Sequence, residues 1–220
     1  MSGDNAPVSK TVTLELSDAE LDGLLVVPAR ATGVVAFAHG SGSSRFSPRN
    51  QLVAQYLNGA GLATLLFDLL TADENRVDQR TREFRFDIPL ISRRMSEAVR
   101  WLAQEPATAN LPLGLFGAST GAAAALVAAA ENPDLVRAVV SRGGRPDLAG
   151  KALARVAAPT LLIVGALDAG VIELNREAAA QLACDCQVEI VAGATHLFEE
   201  PGTLEAVQQL AVDWFRRYLQ

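Results

Sequence analysis

Six short, continuous apolar runs, at residues 34–38, 63–67, 113–116, 138–140, 160–164 and 188–191, constrain this 220-residue chain more than any other feature. A strand with one wet face alternates apolar and polar residues, whereas an unbroken apolar run suits a strand covered on both faces, as in a parallel sheet. Helical patterns separate the runs, at 51–58, 87–103, 121–130, 172–182 and 204–218. This alternation predicts a mostly parallel, doubly wound sheet with helices on both sides. Ahead of it, residues 11–16 alternate and residues 24–27 follow the turn signal Asp22-Gly23, which predicts an antiparallel hairpin at a sheet edge. There is no internal repeat and no linker-like stretch. Residues 1–220 therefore read as one α/β domain, long enough to bury a substantial core without disulfides or metals.

Residues 71–86 break the alternation. They are polar, carry both charge signs and include Arg76, Arg80, Arg82 and Arg85. They read as a long surface loop leaving the carboxyl end of a predicted strand, where open parallel sheets place their ligands. The competing reading is a solvated excursion whose arginines pair with Asp73, Glu74, Asp78 and Glu83.

Gly117-Ala118-Ser119-Thr120-Gly121 lies between the run 113–116 and the alanine-rich residues 122–130. A strand–Gly-x-Ser-x-Gly–helix arrangement forces a sharp turn that exposes the serine hydroxyl at a helix N-terminus. There, unpaired N–H groups and the helix dipole favour a developing oxyanion. A serine hydroxyl is a weak nucleophile until a base takes its proton, and the base needs an acid to fix its tautomer. The chain has two histidines, His39 and His196. His196 follows the run 188–191 and Asp168 follows the run 160–164, so both leave carboxyl ends of strands, the end at which Ser119 sits. Ser119, Asp168 and His196 are thus the candidate catalytic residues. Arg142 and Arg145 follow the run 138–140 toward the same end; they suit an anionic substrate carboxylate, or equally salt bridges within the protein. Asp68, at the end of the run 63–67, reads as a cap or anchor for the residues after it rather than as the acid.

Composition removes several classes. A net charge of −6 and a sequence pI near 5.0 argue against a phosphate backbone as partner, so no nucleic acid is expected. Cys184 and Cys186, one residue apart, fit poorly with a mutual disulfide, supply too few ligands for zinc, and read as inert thiols. The polar stretch 1–10 lacks an apolar signal core and no run approaches the ~20 residues a membrane span needs, so the expectation is a cytoplasmic protein with no membrane partner. Homo-oligomerisation is left open.

The order Ser119, Asp168, His196 resembles that of the α/β-hydrolase superfamily, not that of chymotrypsin-like or subtilisin-like proteases. The segment His39-Gly40-Ser41-Gly42 resembles the histidine–glycine oxyanion loop of that superfamily, which gives His39 a structural role. By this resemblance the backbone N–H groups of Ser41 and Thr120 form the oxyanion hole, with Gly42 as the alternative to Ser41. Over nearly its whole length the chain is similar to the compact dienelactone-hydrolase-like group. Residues 37–45, 67–71, 85–88 and 141–146 look like hydrolase modules that in some bacterial proteins are fused to a phosphoribosyltransferase-like domain. The resemblance implies a hydrolase fold without a large cap, a shallow open site, a small-molecule acyl substrate and no metal or cofactor. Dienelactone hydrolases carry cysteine at the nucleophile position, where this chain has Ser119.

The function expected from these readings is hydrolysis of a small ester, thioester or lactone through an acyl-enzyme on Ser119. The alternatives are another activity on the same fold (peptidase, lipase or cofactor-free haloperoxidase), a non-catalytic ligand-binding module, or a chain that works beside a separate phosphoribosyltransferase-like protein.

Overall fold

The computed structural model describes residues 7–219. The polar N-terminal stretch read above therefore lies, over residues 1–6, outside the described residues. Eight strands form one sheet: β1 Val8–Glu15, β2 Glu20–Val27, β3 Gly33–Ala38, β4 Leu62–Phe67, β5 Leu113–Ala118, β6 Val136–Arg142, β7 Thr160–Gly165 and β8 Cys186–Val191. Their order is β1-β2-β4-β3-β5-β6-β7-β8. β1 pairs antiparallel with β2, and β2 with β4; every later pairing is parallel. The helices are α1 Pro48–Gly59, α2 Ala72–Thr81, α3 Ile88–Leu102, α4 Thr120–Glu131, α5 Ala169–Ala179 and α6 Thr203–Tyr218, with a 3-10 segment at Pro146–Arg155. This is the α/β-hydrolase fold, doubly wound and, among the described residues, without a large cap.

Period-two geometry explains why the central runs are apolar throughout. In β3, Val34, Ala36 and Ala38 join the core beneath α3, α4 and α5, while Val35 and Phe37 join the core beneath α1 and α6. Both faces are covered, so neither can be polar. β8 departs from that expectation: as the sheet's last strand it packs Cys186 and Val188 on one face against the core, while Gln187 and Glu189 on the other face, and Ile190, are exposed. Among the described residues no helix is long and apolar enough to cross a membrane.

The hairpin forms, but not around Asp22-Gly23. Both residues lie inside β2, opposite Thr13 and Val12, and the chain reverses at residues 16–19, where Leu16 N–H donates to Ala19 O. A side chain at Gly23 would crowd Val12, Leu14 and Leu65, so this glycine marks close packing within the sheet rather than a turn.

Most of the expected loop 71–86 is helix α2. Thr71 and Glu74 form a capping box, each side chain accepting from the other's backbone N–H. Two of its carboxylates, Glu74 and Asp78, are used internally. Asp78 is fully buried and accepts from Phe84 N–H and Arg85 N–H, both at 2.9 Å, and from Arg85 Nε at 2.6 Å. Arg94, also buried, donates to both carboxylate oxygens of Glu74, at 2.6 and 2.8 Å. A helix held by ion pairs has no apolar stripe for periodicity to detect.

Candidate active site

The elbow is built from close backbone approaches at the centre of the sheet. A side chain at Gly117 would run into Ala122, and one at Gly121 into the carbonyl of Ala38. Only glycine at both positions lets β5 turn straight into α4. Ser119 sits between them at φ 51°, ψ −121°, a region that L-residues with a side chain enter only under about 1–3 kcal/mol of strain. Its peptide is held from β6 and the loop beyond: Ser119 N–H donates to Arg142 O at 3.3 Å and Arg145 N–H to Ser119 O at 3.0 Å.

Asp168 and His196 lie on loops that are locked together. Gly165 packs against the carbonyls of Ala194 and Thr195 too closely for a side chain, and Leu167 N–H donates to Ala194 O at 3.0 Å. Asp168 Oδ2 lies 2.6 Å from His196 Nδ1. A carboxylate there accepts the Nδ1 proton and leaves Nε2 as the basic nitrogen. Phe198, two residues on, is fully buried at φ 55° and pins the histidine loop to the core. Gly143, at φ 51°, lies under the ring, so that a Cβ there would stand 3.6 Å from His196 Cε1.

Ser119 and His196 line one cleft of about 270 Å³, together with Gly40, Ser41, Arg49 and Arg142. No hydrogen bond joins Ser119 Oγ to His196 among the described residues; such bonds commonly tighten only when substrate is bound.

The loop after β3 comes up beside the elbow, as expected. His39 is buried and structural: Leu69 N–H donates to Nε2 at 2.9 Å, and Nδ1 donates to Gly40 O at 3.0 Å. Burial pushes its pKa down, which keeps the ring neutral in that tautomer. Ser41 Oγ and Thr120 Oγ1 are hydrogen-bonded at 2.8 Å, so the two residues expected to supply the oxyanion donors are neighbours. Thr120 is the first residue of α4, so its N–H has no intrahelical acceptor. Gly42 stands beside them at φ 70°, with Arg85 packed against its Cα.

Asp68 anchors a different segment from the one expected. Its carboxylate takes Arg45 N–H at 2.7 Å and the Arg45 guanidinium, so it fastens the loop after β3, which precedes it in the chain. Arg142, the last residue of β6, and Arg145 part company. Arg145 forms a two-pronged ion pair with Asp147, at 2.8 and 2.7 Å, and is absent from the cleft lining; Arg142 is buried in that lining. Sequence reasoning missed Arg49 and Asn50, which reach the cleft from α1, and the Asp78–Arg85 pair that braces Ser41 and Gly42 from α2. Ser41 Oγ donates to Arg85 O at 3.2 Å. Cys184 and Cys186 are free thiols; burial pushes both up, Cys186 to about 12, which suits inert side chains.

The family model for the dienelactone hydrolase family matches residues 21–220. The chain belongs to the dienelactone hydrolase family. A crystal structure of a dienelactone hydrolase from Anabaena variabilis is 56% identical, covers 97% of this chain and 99% of its own, and superposes with a TM-score of 0.96. Est1E from Butyrivibrio proteoclasticus shares the fold, with a TM-score of 0.77 at 16% identity over 94% of this chain and 98% of its own. Two strains of Mycobacterium tuberculosis have a protein named a phosphoribosyl transferase that is 60% identical over 197 residues, 90% of this chain. The match covers 44% of those proteins, so the chain spans less than half the length of these curated relatives. That agrees with the resemblance to hydrolase modules fused to a phosphoribosyltransferase-like domain.

Proposed function

We propose that the chain is a serine hydrolase acting on a small ester, thioester or lactone. His196 Nε2 takes the Ser119 proton as Oγ attacks the acyl carbonyl, and Asp168 stabilises the imidazolium through the Nδ1 proton. The N–H of Thr120, with that of Ser41 or Gly42, donates to the oxyanion. His196 then protonates the departing alcohol or thiol, and the same residues in reverse roles direct water at the acyl-enzyme. The observation that carries this reading is the 2.6 Å pairing of Asp168 with His196 on the cleft that also receives a backbone-strained Ser119. The 56% identity to the dienelactone hydrolase of Anabaena variabilis supports the reaction class.

The phosphoribosyl transferase name of the longer relatives belongs, on this reading, to the part of them outside the match. The purified chain is expected to hydrolyse 4-nitrophenyl acetate, and Ser119→Ala to lose that turnover while keeping its circular dichroism and melting temperature near those of the parent. Full retained turnover in Ser119→Ala rejects the assignment.

A further inference from the structure

The loop after β3 offers the N–H groups of Ser41 and Gly42 to an oxyanion, and its middle is not fixed by the loop itself. Neither N–H has a backbone acceptor among the described residues, and Gly42 stands at φ 70°. The two ends are fastened nearby: His39 Nδ1 donates to Gly40 O at 3.0 Å, and Asp68 holds Arg45. The middle is fastened from the segment after α2. Ser41 Oγ donates to Arg85 O at 3.2 Å; a hydroxyl has one proton, so Thr120 Oγ1 donates to Ser41 Oγ at 2.8 Å. The Arg85 guanidinium lies against Gly42, where a Cβ would stand 2.9 Å from Nη1. Whichever of Ser41 and Gly42 supplies the N–H, Arg85 sets its place.

Arg85 is set in turn by one carboxylate. Asp78, in the last turn of α2, is fully buried. Its Oδ1 accepts Phe84 N–H and Arg85 N–H at 2.9 Å, its Oδ2 accepts Arg85 Nε at 2.6 Å, and its backbone carbonyl accepts a terminal nitrogen of Arg85 at 3.1 Å. A buried ion pair adds little net stability, because an apolar pair of similar volume commonly replaces it without loss. What this pair adds is a fixed direction for the Arg85 carbonyl and guanidinium. Resting on the hydrolase reading, we propose that Asp78 is a positioning residue for the oxyanion hole, acting through Arg85 on Ser41 and Gly42 and, by the Ser41–Thr120 bond, on both sides of the hole. Ser119 keeps separate supports, Arg142 O and Arg145 N–H, so loss of Asp78 leaves the nucleophile in place. Donors shifted by a fraction of an ångström stabilise the transition state less and leave substrate binding nearly untouched.

The test is a KM-against-kcat comparison on 4-nitrophenyl acetate with the purified chain. Asp78→Asn keeps the shape and one acceptor oxygen but turns a donor toward Arg85 Nε. Its kcat is expected to fall by about 10- to 100-fold with KM within about threefold of the parent's. Binding of phenylboronic acid, whose tetrahedral adduct on Ser119 puts an oxygen in the hole, is expected to weaken by a similar factor. Ser41→Ala breaks the chain further along and retains the N–H; its kcat is expected to fall about tenfold with the melting temperature near the parent's. The double variant is expected to lie within about threefold of Asp78→Asn, because both changes break one chain of bonds. Losses that multiply in the double variant, or a folded Asp78→Asn with the parent's kcat, overturn the positioning role and leave the hydrolase reading standing. Should Asp78→Asn fail to fold, Ser41→Ala and Thr120→Val carry the test, and an unchanged kcat in both overturns the role. A parent chain that neither turns over the ester nor binds the boronic acid overturns both readings.

Discussion

The backbone N–H of Arg145 donates to the carbonyl of Ser119 at 3.0 Å, so the loop after β6 holds the strained peptide of the elbow. Gly144, next to that donor, has no room for a side chain: a methyl would overlap Ser141 Oγ and crowd Ala122. Gly144→Ala is therefore expected to destabilise the protein by about 1–3 kcal/mol, several degrees in melting temperature for a chain of this size, and to lower kcat. An unchanged melting curve with unchanged kcat contradicts this coupling.

The strain at Ser119 has its own signature. Glycine tolerates φ 51°, ψ −121° without penalty, whereas alanine does not. Ser119→Gly should be more stable than Ser119→Ala by about 1 kcal/mol, the strain released being partly offset by the extra freedom of glycine in the unfolded chain. Thermal denaturation of the two inactive variants measures the difference directly, and equal melting temperatures dispose of the strain.

Asp168 should act through the tautomer of His196. Asp168→Asn keeps the shape of the side chain but offers Nδ1 no carboxylate, and loss of the acid in such a triad costs on the order of 10⁴ in kcat. Steady-state kinetics on 4-nitrophenyl acetate, with circular dichroism to verify the fold, would detect it. A variant within tenfold of the parent removes Asp168 from the mechanism.

Helix α2 should make the protein acid-labile. The Arg94 hydrogen bonds hold the Glu74 carboxyl below its ordinary value of 4.5 despite partial burial. A carboxylate whose folded pKa is depressed contributes stability that is present above 4.5 and lost as pH falls through the lower folded value. Glu74→Gln retains the capping-box partner but not the charge. Its urea midpoint should lie below the parent's at pH 7, with a shallower fall as pH drops under 4.5; parallel curves for the two proteins contradict it.

The sequence revealed what depends on apolar periodicity and on short-range backbone demands. The unbroken runs of β3 to β7 placed the sheet, and Gly117 and Gly121 located the elbow because their contacts forbid a side chain. It was weaker where tertiary ion pairs replace burial of apolar groups. Nothing local announces that Asp78 is buried against Arg85, or that α2 is a helix rather than a loop. Asp22-Gly23 carries the signature of a turn, yet close packing against Val12 and Leu65 determines its place inside β2. Arg142 and Arg145 are equivalent in sequence; Asp147, within reach of only one, separates them.

Peptide-level mass spectrometry after treatment with a fluorophosphonate tests the central claim most directly, because the reagent reports which oxygen is activated. A single phosphonyl adduct on the Ser119 peptide, formed within minutes and missing in His196→Ala and Ser119→Ala, is the predicted result. An unlabelled chain, or an adduct on another serine such as Ser41 that persists in Ser119→Ala, would contradict the assignment of Ser119 as the nucleophile.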